Sequence, residues 1–291
     1  MGVGDIIAQA LMEWLEEIVK SGILDNLSDL FGIVNDQVGT IATNVGQTPQ
    51  GWNSAVFNMI KNISDTAIVP IAGLVLSFVM TVELLQLLMD KNNGHDLDWT
   101  LIFKWIGKSF LAVIIVTNTW DIVMAVFDIA QNVVHSASGV IIDANLDASQ
   151  LIPALEEQLN GMEIGALLSL WIITLLLRFS MWPITICIFI VVHGRMIEIY
   201  LMTSIAPIPM ATMMGKELGN IGQNYLRSLV ALGFQGFLII VCVAIYSVMV
   251  QELVVGGDIF ASLLSYVAYT VLLCFTLLRT ASLSKSIFNA H

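Results

Sequence analysis

Several apolar segments of about 20 residues, each nearly free of charged side chains, constrain this chain more than any other feature. A helix of that length crosses the hydrocarbon core of a bilayer. Only 12% of the residues are charged, whereas soluble domains average roughly 25%. We therefore predict an all-α polytopic membrane protein, with the lipid bilayer as its main surroundings.

The apolar segments predict about five transmembrane helices. The predicted spans cover residues 67–89, 105–134, 164–192, 228–250 and 259–278. Residues 1–66 then form an extracytoplasmic region of amphipathic helices, 67–280 the transmembrane domain and 281–291 a cytoplasmic tail. No basic segment precedes the first apolar run, so we expect membrane insertion to use the internal spans.

The charges of the loops predict the orientation, since cytoplasmic loops are enriched in Lys and Arg. Lys104 and Lys108 place the loop after the first span inside. The polar loop 143–163 is acidic, has no Lys or Arg, and is predicted outside. Arg279 and Lys285 place the C-terminus in the cytoplasm. The expected location is the cell (cytoplasmic) membrane, with the N-terminus outside.

One segment, which contains two prolines, does not fit the alternation of loops between the inside and the outside of the membrane. Arg195 and Lys216 are both predicted inside, so residues 196–213 should not cross completely. Pro207 and Pro209 cannot both lie in a regular helix interior. We predict a broken or re-entrant packing element. The alternative is a transporter-like broken helix whose freed backbone groups bind a substrate, although no matching break occurs in the other half.

A polar stripe marks the second span. From Trp99 to about Ile142 the chain contains no proline, which predicts one long helix. Polar side chains recur on it at steps of three and four, so they share one face. They are Asn118, Asp121, Asp128, Asn132 and His135. The stripe packs against neighbouring helices or extends into water, or else it faces a lumen or a neighbouring subunit in a ring; both interpretations stay open.

Arg178 lies near the middle of the third predicted span. A central charge in a membrane is costly and is usually paired. Asp121 is central in its own span, so we predict an Arg178–Asp121 ion pair, with Asp128 as the second choice. The pair could orient two helices or line a conduit, and a snorkelling arginine is the remaining alternative.

The N-terminus predicts an amphipathic helix over residues 5–20. Its apolar face includes Leu11, Trp14 and Ile18. The opposite face is acidic, whereas helices that lie on anionic lipid usually carry Lys and Arg. We therefore predict that Leu11, Trp14 and Ile18 dock a protein partner.

No catalytic constellation and no metal-ligand spacing is present in the sequence, so we expect no enzymatic activity, no cofactor and no metal. Cys187, Cys242 and Cys274 lie inside apolar runs and are predicted to be buried free thiols. A net charge of −12 argues against tightly bound nucleic acid. Only transient contact with a passing strand is compatible with it.

The second half resembles the TrbL family, the polytopic inner-membrane subunit of conjugative and VirB-type type IV secretion systems. The resemblance lies in the apolar run Leu201-Met202-Thr203-Ser204-Ile205 that leads into Ala206-Pro207-Ile208-Pro209, and in the amphipathic lead Asn224-Tyr225-Leu226-Arg227-Ser228-Leu229. The size is similar to versions from Gram-positive mobile elements. The resemblance implies a non-enzymatic channel subunit that works beside ATPases and other subunits in a homo-oligomeric ring.

The function we expect is therefore that of a channel or scaffold subunit of a conjugative type IV secretion machine, which helps DNA or protein substrate to cross the cytoplasmic membrane. The alternative is a stand-alone small-molecule transporter or ion channel, on the basis of Arg178 and the Pro207–Pro209 break.

Overall fold

The computed structural model describes residues 3–89, 99–139, 148–253 and 259–290, and every element in these ranges is helical. The helices are α1 (Val3–Val45), α2 (Pro49–Trp52), α3 (Ser54–Ile63), α4 (Val69–Met89), α5 (Trp99–Thr117), α6 (Thr119–Ser138), α7 (Ala148–Leu159), α8 (Ile164–Ile205), α9 (Pro207–Thr212), α10 (Gly219–Leu253) and α11 (Ile259–Ile287). A π-helical turn, Ser64–Ile68, joins α3 to α4.

Within the described residues, five stretches of helix are long and apolar enough to cross a membrane, which confirms the predicted all-α class and the number five. They are Ser54–Met89, Trp99–Thr117, Ile164–Ile205, Gly219–Val250 and Ala261–Ile287. The second ends at Thr117 rather than at residue 134, because Asp121 and Asp128 lower the hydropathy of α6. The predicted division into outer region, membrane domain and tail refers to the sides of a membrane and stays a prediction.

The chain divides into two compact units, which are described separately. The first unit comprises the described residues of 1–43, 137–191 and 240–278. The second comprises those of 44–136, 192–239 and 279–291.

Helix α1 is much longer than the predicted helix over residues 5–20. From Val19 onward one face is buried, because apolar residues recur at steps of three and four. The buried residues of this face are Val19, Ile23, Leu27, Leu30, Val34, Val38, Ile41 and Val45. The packing of this face outweighs the helix penalty of Gly32 and Gly39, which is about 1 kcal/mol each.

Two caps separate the short helices that follow α1. The Thr48 hydroxyl accepts from the Gly51 backbone N–H at 2.9 Å, with Pro49 in the first turn of α2. Asn53 then caps α3 by accepting from the N–H groups of Ala55 and Val56. These side chains satisfy backbone donors that a helix start leaves without partners.

The long helix predicted from Trp99 to Ile142 is interrupted at Asn118, between α5 and α6. The Asn118 side-chain amide donates to the carbonyl of Ile114 at 2.8 Å, a contact that competes with regular helix bonding. The backbone N–H of Asn118 still donates to the same carbonyl at 3.1 Å. The interruption is therefore slight; Ile142 lies outside the described residues.

Helix α8 continues beyond residue 192, where the third span was predicted to end. It passes through Pro183, and it includes residues 196–205, which were predicted to belong to a separate re-entrant element. Pro183 removes one backbone donor and costs about 3 kcal/mol locally, but long apolar segments flank it on both sides. The chain breaks only at Ala206, where Pro207 begins α9 at a position that needs no backbone donor.

Helix α9 is a packing element of the second unit. Pro207, Pro209 and Ala211 are all buried, and α9 packs against α4 and α5. A Cβ atom at Gly222 of α10 would lie 2.5 Å from the carbonyl oxygen of Pro209, so only glycine permits this approach.

Two further predictions are wrong. Cys187 and Cys274 form a disulfide in the first unit, so they are not free thiols; Cys242 is free. Their separation of 87 residues gave no sequence signal for pairing. The predicted polar loop 143–163 contains α7, whose last residue, Leu159, is buried. Residues 143–147 lie outside the described residues.

Candidate functional site

The predicted polar stripe lies on one exposed face of α6 in the second unit. Its residues are Asn118, which precedes α6, and Asp121, Asp128, Asn132 and His135. All five side chains are exposed. His135 contacts Gln131 at 3.4 Å, and Gln131 in turn donates to the carbonyl of Gly46.

The opposite face of α6 is the packed one. Its buried residues are Thr119, Trp120, Val123, Phe127, Ala130 and Val134. Val123 and Phe127 belong to a core with Met196, Leu229 and Leu232. The polar stripe is thus not used for packing within its unit, and it is open to water, lipid or another chain.

Arg178, in the first unit, has an ion-pair partner that the sequence did not predict. Its guanidinium lies 2.6 Å from the carboxylate of Asp29 and donates to the Asn26 side-chain oxygen at 3.3 Å. The Asn26 amide donates to the Thr174 hydroxyl at 3.2 Å, and both of these side chains are buried. The ion-pair partner within the first unit is therefore Asp29 of α1. The predicted partners Asp121 and Asp128 belong to the second unit, so that pairing stays a prediction.

Asp29 was not predicted as the partner because residues 1–66 were assigned to a separate outer region. Contacts along α1 show that α1 runs parallel to the chain from α7 into α8. Lys20 donates to Asn160, and Asn26 and Asp29 lie farther along, beside Thr174 and Arg178. The sequence signal for this packing was the recurrence of apolar residues at steps of three and four between residues 19 and 45, which predicts one buried face.

Arg195, in the second unit, is the more buried arginine and was overlooked as a site. Its side chain donates to the backbone carbonyls of Leu232 at 3.3 Å, Gly233 at 3.2 Å and Val45 at 3.5 Å. Val45 ends α1, where carbonyl groups lack partners within the helix. Arg195 therefore braces the end of α1 against α10.

Another ion pair, in the second unit, joins Glu83 of α4 to Lys108 of α5. Glu83 is buried, whereas Lys108 is about one-third exposed. One carboxylate oxygen of Glu83 has no hydrogen-bond partner among the described residues. Burial of a carboxylate requires a cation nearby, and Lys108 supplies it.

The residues predicted for partner docking are exposed on α1 in the first unit. Leu11 and Trp14 are more than half exposed, and Ile18 is nearly so. Beside them, a groove of about 550 Å³ lies between α1 and α7. Carboxylates dominate its lining, which comprises Glu13, Glu16, Glu17, Asp25 and Glu156 with Lys20, Ser21, Leu24, Leu159 and Asn160.

Metal-type ligands do not gather in the part of the chain that the structure describes. Within residues 3–89, 99–139, 148–253 and 259–290, no three His, Cys, Asp or Glu side chains are close enough to hold an ion together.

The comparisons with known proteins identify one family. The family model "TrbL/VirB6 plasmid conjugal transfer like protein" matches residues 34–207, which is more than half of the chain. The match includes the stripe of α6, Arg178, Arg195 and the break before Pro207, but not the first 33 residues. No curated protein and no solved structure matches the chain significantly.

Proposed function

Because this chain belongs to the TrbL/VirB6 family of plasmid conjugal transfer proteins, we propose that it is a channel subunit of a conjugative type IV secretion machine. The family implies a conjugal-transfer role related to type IV secretion, and the five apolar helices indicate a multi-pass membrane protein. Our proposal adds that the subunit helps DNA or protein substrate to cross the cytoplasmic membrane and performs no reaction of its own.

The exposed stripe of α6 is the observation that carries the proposal. A helix that is packed on one face and presents Asp121, Asp128 and Asn132 on the other is poorly suited to lipid. We propose that this face borders a water-filled path, either directly or at a contact between subunits of a homo-oligomeric ring.

The negative charge of the stripe suits the passage of nucleic acid better than its tight binding. Helix α6 contains no Lys or Arg, whereas tight binding of nucleic acid requires several cations against its phosphates. The carboxylates of Asp121 and Asp128 would repel phosphates and limit contact with a strand to transient encounters. A polar surface of this kind supplies no energy for transport. We therefore propose the ATPases of the machine as partners that supply it.

The orientation in the proposal follows the loop charges, with the N-terminus outside and the C-terminus in the cytoplasm. We favour a channel subunit over a stand-alone transporter because Pro207 and Pro209 are buried in packing. Freed backbone groups that bind a transported molecule would instead line a cavity.

Single-cysteine variants test the proposal, in a background whose native cysteines are replaced. The probe is a membrane-impermeant, charged thiol reagent added to transferring cells. We expect labelling at Asp121→Cys, Asp128→Cys and Asn132→Cys, with a fall in transfer after labelling. Matched controls on the buried face of the same helix, Val123→Cys and Val134→Cys, should stay unlabelled.

Uniform protection of all these positions from the reagent, in cells that transfer normally, would contradict the water-facing role. Labelling without any loss of transfer would place the stripe in water but away from the path. Normal transfer by cells that lack the gene would remove the channel role altogether.

A further inference from the structure

The first four turns of α1 are unlike the rest of this helix. Every side chain from Val3 to Leu15 is exposed, whereas from Val19 onward one face is buried in the first unit. This segment also lies outside the family match, which begins at residue 34. It is therefore a helical segment whose own unit leaves it uncovered.

The exposed segment has an apolar face. Ile7, Leu11, Trp14 and Ile18 follow at steps of four, three and four, so they share one side of the helix. They are between 48% and 59% exposed. The segment continues the packed part of α1, so its helix is already formed, and a partner that covers this face would remove apolar surface from water.

Carboxylates lie beside this face, while Ile6 and Met12 elsewhere on the segment are exposed apolar residues. The adjoining groove of about 550 Å³ is lined by five carboxylates, and Lys20 is the one basic residue among its described lining residues. The Lys20 ammonium already lies 2.7 Å from Glu16 and donates to Asn160 at 3.2 Å. The groove thus offers an uncompensated negative charge beside an apolar stripe.

Charge decides which occupant fits this surface. An anionic lipid surface would be repelled by the carboxylates. A second copy of α1 would bring the same acidic groups, and like charges in contact are unfavourable. An amphipathic helix with an apolar stripe and flanking Lys or Arg residues would complement both features.

We propose that Val3–Ile18 and the acidic groove beside it form a docking surface for a basic amphipathic helix of a partner protein. The apolar stripe of the partner covers Leu11 and Trp14, and its cations face Glu13, Glu16 and Glu17. The inference rests on the proposed function only in making that partner another subunit of the same machine.

The test uses the full chain in nanodiscs of neutral phosphatidylcholine. The probe is a fluorescent helical peptide of about 18 residues with a leucine stripe flanked by lysines. The matched control peptide carries glutamates in place of the lysines. We expect the lysine peptide to bind at least about tenfold more tightly than the glutamate peptide. Added salt should weaken this binding, because it screens exposed charges.

Variants separate the two halves of the surface. The triple variant Glu13→Gln, Glu16→Gln, Glu17→Gln should bind the lysine peptide about tenfold more weakly. Leu11→Ala with Trp14→Ala should weaken both peptides, since a buried aromatic anchor dominates such contacts. Triple replacement of the same glutamates by lysine should reverse the preference toward the glutamate peptide. The controls are Phe78→Ala, an exposed apolar residue of α4, and Asp121→Asn with Asp128→Asn.

Equal binding of the two peptides, or binding unaffected by the Glu variants, overturns the proposal. Capture of α1 by phosphatidylglycerol vesicles, or disulfide linking of Trp14→Cys between two copies, overturns it as well, because another occupant is then present. Transfer assays keep the two proposals apart. If the α6 thiol test succeeds while peptide binding fails, only the docking surface is lost.

Discussion

The two arginines of α8 carry the same charge on the same helix but have different surroundings, each within its own compact unit. Arg178 is 46% exposed and lies against the carboxylate of Asp29, which is 50% exposed. Arg195 is only 7% exposed, and its described hydrogen bonds go to three backbone carbonyls. The comparison shows that depth in an apolar segment and burial within the protein are separate properties.

The two environments also stabilise charge differently. The Asp29 carboxylate neutralises Arg178, but both side chains are about half exposed. Polar contacts between helices in membranes contribute on average only about 0.6 kcal/mol, because other partners remain when the contact is lost. Carbonyl oxygens provide partial charges that are fixed by the helices, so the Arg195 contacts depend on the placement of α1 and α10. Arg195 should therefore contribute more to the stability of the fold, although Arg178 lies nearer the middle of its apolar segment.

Removal of Arg195 should have the largest effect. Arg195→Ala deletes three charge-assisted hydrogen bonds and leaves a cavity, so we expect a loss of about 3 kcal/mol in the free energy of unfolding. Arg195→Lys should lose less, since one ammonium retains the charge but cannot reach all three carbonyls. Denaturant unfolding in detergent measures both. A change below about 0.5 kcal/mol for Arg195→Ala would refute the brace.

Gly236, which lies beside Arg195, provides a second test of the Arg195 contacts. A Cβ atom at Gly236 would lie 2.8 Å from the Arg195 guanidinium and 3.2 Å from Val45. Gly236→Ala should therefore cost about 1–2 kcal/mol by displacing this side chain. Gly194→Ala is the matched control, because nothing lies within 4 Å of its Cβ position. Equal free energies of unfolding for the two variants would contradict close packing of Arg195 against Gly236.

The Arg178–Asp29 pair should show the smallest effect. A double-mutant cycle of Arg178→Ala and Asp29→Ala should give a coupling energy of about 0.5–1 kcal/mol. The same cycle with Asp121→Ala should be additive, because Asp29 is the ion-pair partner. Coupling of Arg178 to Asp121 in place of Asp29 would restore the partner that the sequence predicted.

The fold was predictable where hydropathy controls it. The five apolar helices, the Thr48 cap and the interruption before Pro207 all follow from local patterns, because each depends on a few neighbouring residues. The continuation of α8 past residue 192 to Ile205 was not predictable in this way. The span was ended there on the basis of loop charges, whereas tertiary packing decides how far a helix continues.

The candidate site was only partly predictable, for a related reason. Periodicity identified one face of α6, and the structure leaves that face exposed. The partner of Arg178 depends on α1 lying beside α8, and the disulfide depends on α8 meeting α11. Such contacts join residues far apart in sequence. One sequence without a structure gives no information on which of several carboxylates or thiols meet.

The most direct test of the central claim is whether the transported substrate passes the exposed face of α6. A photo-crosslinking amino acid at Asp128, with Val134 as the buried control, is activated in cells during transfer, and crosslinked DNA or protein substrate is then measured. We predict substrate adducts at position 128, dependent on an active machine, and none at 134. Absence of adducts at 128 while transfer continues, with crosslinks to lipid in their place, would contradict the account.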